Sequence, residues 1–227
     1  MRQKLYPSAE AAVADIRPGA RIFFGGFGGA GFPNNLIQAL DRQGAAELTA
    51  ITNNCGSADG ELGILFKHDR IRNVIASFPG PHARHFQERF AEGKITLELV
   101  PQGILCERMR AAGAGIYGFY SAVGAGTMLA EGREERVIHG RRTVFYEPLA
   151  AQFALIKAWK ADELGNLIYR KTARNFNPLM AVAAETTIVE VDEVVPVGAL
   201  DPEAIVTPFV FVHRIVQVKG IHNVVQP

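Results

Sequence analysis

Ala20-Arg21-Ile22-Phe23-Phe24-Gly25-Gly26-Phe27-Gly28-Gly29-Ala30-Gly31-Phe32-Pro33 is the stretch on which the fold turns. Ala20 to Phe24 is a compact apolar run that ends in glycines, the pattern of a strand buried on both faces. Pro33 sits where the first turn of a helix begins, and Leu36, Ile37 and Leu40 share one helical face. Glycines allow positive φ and a close backbone approach to a ligand. Helix N-terminal amides offer unpaired donors and a positive dipole end, so such a corner suits phosphate, pyrophosphate or a carboxylate. Two other readings fit the same spacing. The glycines can serve packing alone. Gly26, Gly28 and Gly31 also satisfy G-x-G-x-x-G, the pattern of a dinucleotide site, whose acidic partner would be Glu47. Glu47 stands before a strand rather than at its end, which counts against that reading.

Outward from this corner the pattern alternates. Upstream, Ser8 is a candidate N-cap for a short helix through Ala11, Ala12, Val13 and Ile16, stopped at Pro18-Gly19. Downstream, strands are predicted over 48–51, 74–76 and 95–100, and helices over 62–67, 83–91 and 103–112. This alternation predicts an α/β fold, a mostly parallel sheet flanked by helices with right-handed crossovers. Residues 112–127 are rich in Gly and Ala with Tyr117, Phe119 and Tyr120 interleaved, and read as a loop lining a site. A hairpin follows, 135–138 and 143–146 about Gly140. Strands are expected at 153–158 and 167–169 about Gly165-Asn166, a short helix at 178–184, a β-branched strand at 186–191, and an apolar segment at 209–218. No repeat or linker interrupts the chain, so one domain over residues 1–227 is expected.

The 227 residues are 48% hydrophobic and 21% charged, ordinary globular composition. Lys plus Arg is 24 against 23 Asp plus Glu, which argues against nucleic acid or a membrane surface as partner. Cys55 and Cys106 have no metal-like spacing, and His82 and His85 have no third ligand in view, so no metal site is expected. Two sparse thiols and an N-terminus with no apolar h-region point to a cytoplasmic protein.

Ile22-Phe23-Phe24-Gly25-Gly26-Phe27, with Gly31-Phe32-Pro33 three residues on, resembles the N-terminal signature of family I CoA-transferases, where three apolar residues lead into G-G-F-x-x-x-G-x-P. Further segments resemble the α subunit of that family, of the 3-oxoacid or 3-oxoadipate type, in order: Thr52-Asn53-Asn54, Val100-Pro101-Gln102-Gly103, Gly113-Ala114-Gly115, Ala158-Trp159-Lys160-Ala161-Asp162 and Arg170-Lys171-Thr172-Ala173-Arg174-Asn175-Phe176-Asn177-Pro178. One position departs: Pro18 stands before Gly19 where the family usually has Asp or Asn.

The resemblance implies the CoA-transferase (sugar-phosphate isomerase-like) fold and a reaction that moves CoA from succinyl-CoA to a 3-oxo acid such as acetoacetate or 3-oxoadipate. The family's nucleophile is a glutamate in a Ser-Glu-Asn-Gly motif of the β subunit. No such motif occurs here; Glu61, Glu131 and Glu185 stand in other contexts. The chain would thus supply half an active site, with CoA thioester as substrate, no bound cofactor, and for its partner a β subunit, in a heterotetramer of two α and two β. Gln102, after a predicted strand, would donate to the thioester oxyanion, unless it caps the next helix. Asn53 and Asn54 would bind substrate carboxylate or hold the partner's glutamate loop, unless they only form a turn. Gly25, Gly26, Phe27, Gly28, Gly29, Ala30 and Gly31 would shape the acyl pocket or meet the CoA thiol arm, with Gly103 beside Gln102. Arg174 and Asn175, with Arg170 and Lys171, would recognise a dicarboxylate, fix the subunit interface or form a solvated or salt-bridged surface. Phe209, Val210 and Phe211 would form a partner edge or complete the core. The competing functions are a nucleotide-binding dehydrogenase module, which needs an acidic residue where Thr52-Asn53-Asn54 stands, and a non-catalytic small-ligand binding protein on the same fold.

Overall fold

The structure is a computed structural model that describes residues 4–218. Its strands are β1 Arg21–Phe24, β2 Leu48–Thr52, β3 Ile71–Ala76, β4 Thr96–Leu99, β5 Phe119–Ser121, β6 Glu135–Ile138, β7 Arg141–Tyr146, β8 Ala151–Asp162, β9 Leu167–Ile168, β10 Ala184–Val195 and β11 Arg214–Gln217. The α-helices are α1 Ala9–Val13, α2 Asn34–Gln43, α3 Gly63–Lys67, α4 Arg84–Ala91, α5 Gln102–Gly113 and α6 Asn177–Ala183. The main sheet runs β11-β10-β8-β1-β2-β3-β4, all parallel, with β9 antiparallel on the end of β8. Strand order reverses at β1. From there the chain winds outward through β2, β3 and β4, then returns to β8 on the other side, and in open α/β sheets ligands bind at such a switch point, beyond the carboxyl ends of the strands.

Two layers of core follow from the alternation of each strand. Ile22 and Phe24 of β1 face α1 to α4, joined by Leu48, Val74, Leu36, Leu40 and Phe66. Phe23 faces the other way, with Ile51, Ile75, Ala154 and Ile156, against Ile104, Leu105 and Met109 of α5 and Met180 of α6. Each large side chain so buried contributes about 1.5–3 kcal/mol. Ser8 caps α1 as its sequence indicates, its hydroxyl accepting from Ala11 N at 3.2 Å. The edge strand β11 is covered by the N-terminal segment, Tyr6 N donating to Ile215 O at 2.9 Å and Ile215 N to Lys4 O at 2.8 Å.

Two expectations are corrected. Residues 112–127 are not one loop: 112 and 113 finish α5, and 119–121 form β5 of a three-stranded antiparallel sheet ordered β5-β7-β6. Two of the glycines there are required by packing. A Cβ at Gly118 would stand 2.1 Å from the Phe145 ring, and one at Gly124 2.6 Å from the Tyr146 hydroxyl. The apolar segment 209–218 is split, a 3-10 turn Phe209–Phe211 before the short β11. Phe209 and Val210 are 39% and 60% exposed, so they do not complete the core.

Candidate functional site

A cavity of about 1130 Å³ opens at the carboxyl ends of β1 to β4. Phe27, Gly28 and Gly29 line it from the loop after β1, and Asn53 and Asn54 from the end of β2. Residues 56–61 form one wall, Phe78 and residues 80–82 another, and Gln102 at the start of α5 closes it. The loops after β2 and β3 are tied at their bases, Phe78 N donating to Asn53 O at 2.9 Å and Cys55 N to Pro79 O at 3.0 Å.

Gln102 and Asn53 meet here from 49 residues apart, Gln102 Nε2 donating to Asn53 Oδ1 at 2.8 Å. Ser77 Oγ donates to the same oxygen at 2.7 Å. Asn53 is 2% exposed. With Oδ1 held by two donors, its Nδ2 is left without a partner among the described residues. Gln102 is exposed and caps nothing: the N-cap of α5 is Pro101, and no side chain closes that helix start. The amides of Gln102, Gly103 and Ile104 precede the first intrahelical bond, Leu105 N to Pro101 O, so they have no carbonyl partner in the helix. A Cβ on Gly103 would meet nothing within 4 Å. Gln102 Nε2, Asn53 Nδ2 and the α5 dipole end together make a donor set fit for an oxyanion.

The other helix start is filled. Glu190 of β10, 1% exposed, accepts from Asn35 N at 2.8 Å and Leu36 N at 3.1 Å through Oε2, and from Asn35 Nδ2 at 3.3 Å through Oε1. The expected anion corner after the glycine loop is therefore occupied by the chain's own carboxyl group. Burial raises that carboxyl above the ordinary range, while Lys157, with its Nζ 3.7 Å away, and the two amides pull it back. A pyrophosphate has no donors to take there, and β2 ends in Thr52 with Asn53 next, neither of them acidic, so the dinucleotide reading falls.

Only the tip of the glycine loop reaches the cavity. Phe27 and Ala30 exchange hydrogen bonds of 2.9 and 3.0 Å across Gly28 and Gly29, whose φ values of +55° and +85° make a tight turn of the primed kind. Gly25, Gly26, Ala30 and Gly31 lie behind it against an asparagine clamp. Asn175 Oδ1 accepts from Gly26 N at 3.2 Å, and its Nδ2 donates to Ala30 O at 3.0 Å. Asn177, fully buried, donates to Gly31 O at 3.1 Å and Ala173 O at 2.9 Å and accepts from Lys157 N at 3.0 Å. A Cβ on Gly25 would stand 1.8 Å from Asn177 Oδ1, so glycine is required there by packing. Arg174 is exposed on the 3-10 turn Lys171–Arg174, off the cavity lining, as is Arg170, whose guanidinium lies 5.4 Å from the Trp159 ring.

Ser57, Asp59, Glu61, Phe78 and His82 are lining residues that sequence patterns did not single out as ligand-facing. They lie on connections with no periodicity. Glu61 gives one signal, a positive φ of 46°, with Oε2 accepting from Ser57 N at 2.8 Å. Cys55 is fully buried and burial pushes its thiol pKa up, which suits a space filler rather than a nucleophile. Among the described residues no three His, Cys, Asp or Glu side chains are placed to hold a metal ion, and no helix is long and apolar enough to cross a membrane.

The model of the coenzyme A transferase family matches residues 6–218. The chain belongs to the coenzyme A transferase family. It is 52% identical over 221 residues to the A-type subunit of the 3-oxoadipate CoA-transferase of Pseudomonas putida, covering 97% of this chain and 96% of that one. It is 41% identical over 212 residues to the A-type subunit of the succinyl-CoA:3-ketoacid coenzyme A transferase of Helicobacter pylori, covering 93% and 91%. Its fold is similar to that of the acyl-CoA transferase YdiF of Escherichia coli O157:H7, with a TM-score of 0.84 at 21% identity; the match covers 95% of this chain and 47% of that longer one. The chain has no Ser-Glu-Asn-Gly segment, and Glu61 is the one glutamate on the cavity lining.

Proposed function

We propose that the whole chain, residues 1–227, is one α-subunit domain of a cytoplasmic CoA-transferase, acting with a β subunit in a heterotetramer of two α and two β chains. CoA would pass from succinyl-CoA to a 3-oxo acid, acetoacetate or 3-oxoadipate. The observation that carries the reading is the donor pair of Gln102 Nε2 and Asn53 Nδ2 at the open start of α5, facing a cavity large enough for an acyl group and the thiol arm. The names of the Pseudomonas and Helicobacter relatives support the subunit, donor and acceptor.

In the proposed cycle the β-subunit glutamate attacks the thioester carbonyl and CoA leaves as thiolate, giving an acyl-glutamyl anhydride. Thiolate returns to the glutamyl carbonyl, the acid departs, and a glutamyl-CoA thioester remains. The acceptor carboxylate attacks that thioester and the thiolate then takes the new acyl group, restoring the glutamate. No water is consumed, and the walls at 56–61 and 78–82 serve by keeping it out. Gln102 and Asn53 would hold the oxygen that gains charge at each addition.

The test is to mix the chain with a β subunit carrying Ser-Glu-Asn-Gly and to assay succinyl-CoA with both acceptors, each chain alone as control. Activity in the mixture only supports the reading. Activity from this chain alone, lost in Glu61→Gln, supports a second reading that the cavity's position of Glu61 keeps open: a nucleophile within the chain.

A further inference from the structure

The cavity lining is uneven in charge. Among the described residues its ionisable side chains are Asp59, Glu61 and His82, with neither Lys nor Arg. Both carboxylates are engaged from within the chain. Asp59 Oδ1 accepts from Lys67 Nζ at 3.0 Å and lies 3.4 Å from His85 Nε2. Glu61 Oε2 accepts from Ser57 N at 2.8 Å. The His82 side chain has no hydrogen bond or ion pair with any described residue; its carbonyl alone is used, by Arg84 N at 2.9 Å. The turn before it is pinned, Gln87 Nε2 donating to the carbonyls of Gly80 and Pro81, each at 3.1 Å. The imidazole is thus carried by a fixed wall, uncommitted, at the rim of a cavity that otherwise offers negative charge and neutral donors.

An acid with one carboxylate brings to this cavity only the group that reacts. An acid with a second carboxylate must also place that charge near Glu61, which no Lys or Arg pairs among the described residues, whereas Asp59 is already paired with Lys67; the charge is better held where an opposite charge receives it. We propose that His82 is the counter-charge for the far carboxylate of a dicarboxylic acyl group, so that this wall selects dicarboxylic over monocarboxylic acids. The inference rests on the CoA-transfer reading of the same cavity and names its substrate class. His82 touches no reacting bond and acts on binding. In a double displacement the donor's acyl group and the acceptor occupy the cavity in turn, so one side chain serves a succinyl group and a 3-oxo diacid alike.

The experiment uses the full chain, wild type or carrying His82→Ala, His82→Gln or His82→Lys, assembled with its β subunit; the assembly and Tm of each complex are checked. The ratio of kcat/KM for 3-oxoadipate to that for acetoacetate is expected to fall about tenfold in the Ala and Gln variants, through KM, the scale of a lost hydrogen bond between charged groups. His82→Lys restores most of it, because charge rather than shape is required. An unchanged ratio in all variants overturns the proposal and places the counter-charge on the β subunit. A parallel fall for both acids also overturns it, leaving His82 a support of the wall. A binding arm separates the two readings: succinate is expected to raise the Tm of the wild-type complex more than butyrate does, and His82→Ala to remove the difference. If wild type transfers CoA to neither acid yet shows that His82-dependent difference, the diacid site stands and the transfer reading falls; if it shows no difference, the diacid site falls.

Discussion

The starts of α2 and α5 look alike in sequence and differ in what they can do. Both helices follow a strand of the parallel sheet, both have a proline as N-cap, Pro33 and Pro101, and neither has a side-chain cap of its own. By local physics each is an anion site. At α2 the buried carboxyl group of Glu190 takes the amides of Asn35 and Leu36. At α5 no described side chain arrives, and the first-turn amides lie beside Gln102 and Asn53 at the mouth of the cavity. A helix start is therefore a potential site whose use is decided by a residue far away in sequence. One of these two is structural because a strand supplies its anion, and at the other no described residue supplies one.

The largest effect is expected from filling or emptying the structural end. Glu190→Ala leaves one buried amide, one half-buried amide and Lys157 without that acceptor, at a cost of about 3 kcal/mol. For a chain of this size that lowers Tm by roughly 6–12 °C in thermal unfolding. A recovery of that loss on adding inorganic phosphate would break the distinction, by showing that α2 takes a free anion as readily. At the functional end the order reverses. Gln102→Ala is expected to lower kcat of the assembled enzyme about a hundredfold, the scale of one oxyanion donor, with little change in Tm. A stability loss without a kinetic one would make α5 the structural start.

Gly103→Ala sharpens the contrast at smaller scale. The new methyl group has open space, so the helix gains about 0.5–1 kcal/mol from the lost glycine. If a ligand approaches the α5 amides, KM for the CoA thioester rises in the same variant. The smallest effect concerns ionisation. Burial raises the Glu190 carboxyl in the folded chain, so the folded state holds that proton longer than the unfolded one. Its contribution therefore favours folding at low pH and declines as pH rises from the ordinary glutamate value of about 4.3. Urea midpoints of wild type minus Glu190→Gln should fall with rising pH in that window. Asp15 has the opposite sign: the hydrogen-bonded Arg214 guanidinium depresses it, so its contribution is lost as pH falls.

Much of this was legible in the residues. The run Arg21 to Phe24, its glycines and Pro33 mark strand, turn and helix, because backbone chemistry is local there. Gln102 could be placed at a strand's carboxyl end because alternation sets the sheet and the sheet sets where ligands bind. What stayed hidden depends on partners far along the chain. Glu190 sits in a β-branched strand, and nothing near it says that its carboxyl group turns inward to a helix 155 residues upstream. Asn175 and Asn177 were visible as a motif, but their use as a clamp needs the glycine carbonyls that they hold. Ser57, Glu61 and His82 lie on aperiodic connections, where burial pattern carries no signal.

Those long hydrogen bonds also set an order of events on the ribosome. Gln102, Asn53 and the glycine turn are all made in the first half of translation, yet α2 is not capped until Glu190 emerges, nor the glycine loop clamped until Asn177 does. At about 5–20 residues per second, the nascent chain waits some 4–18 s between making Gln102 and making Glu190. Throughout that wait the carboxyl group that caps α2 in the folded chain has not been made.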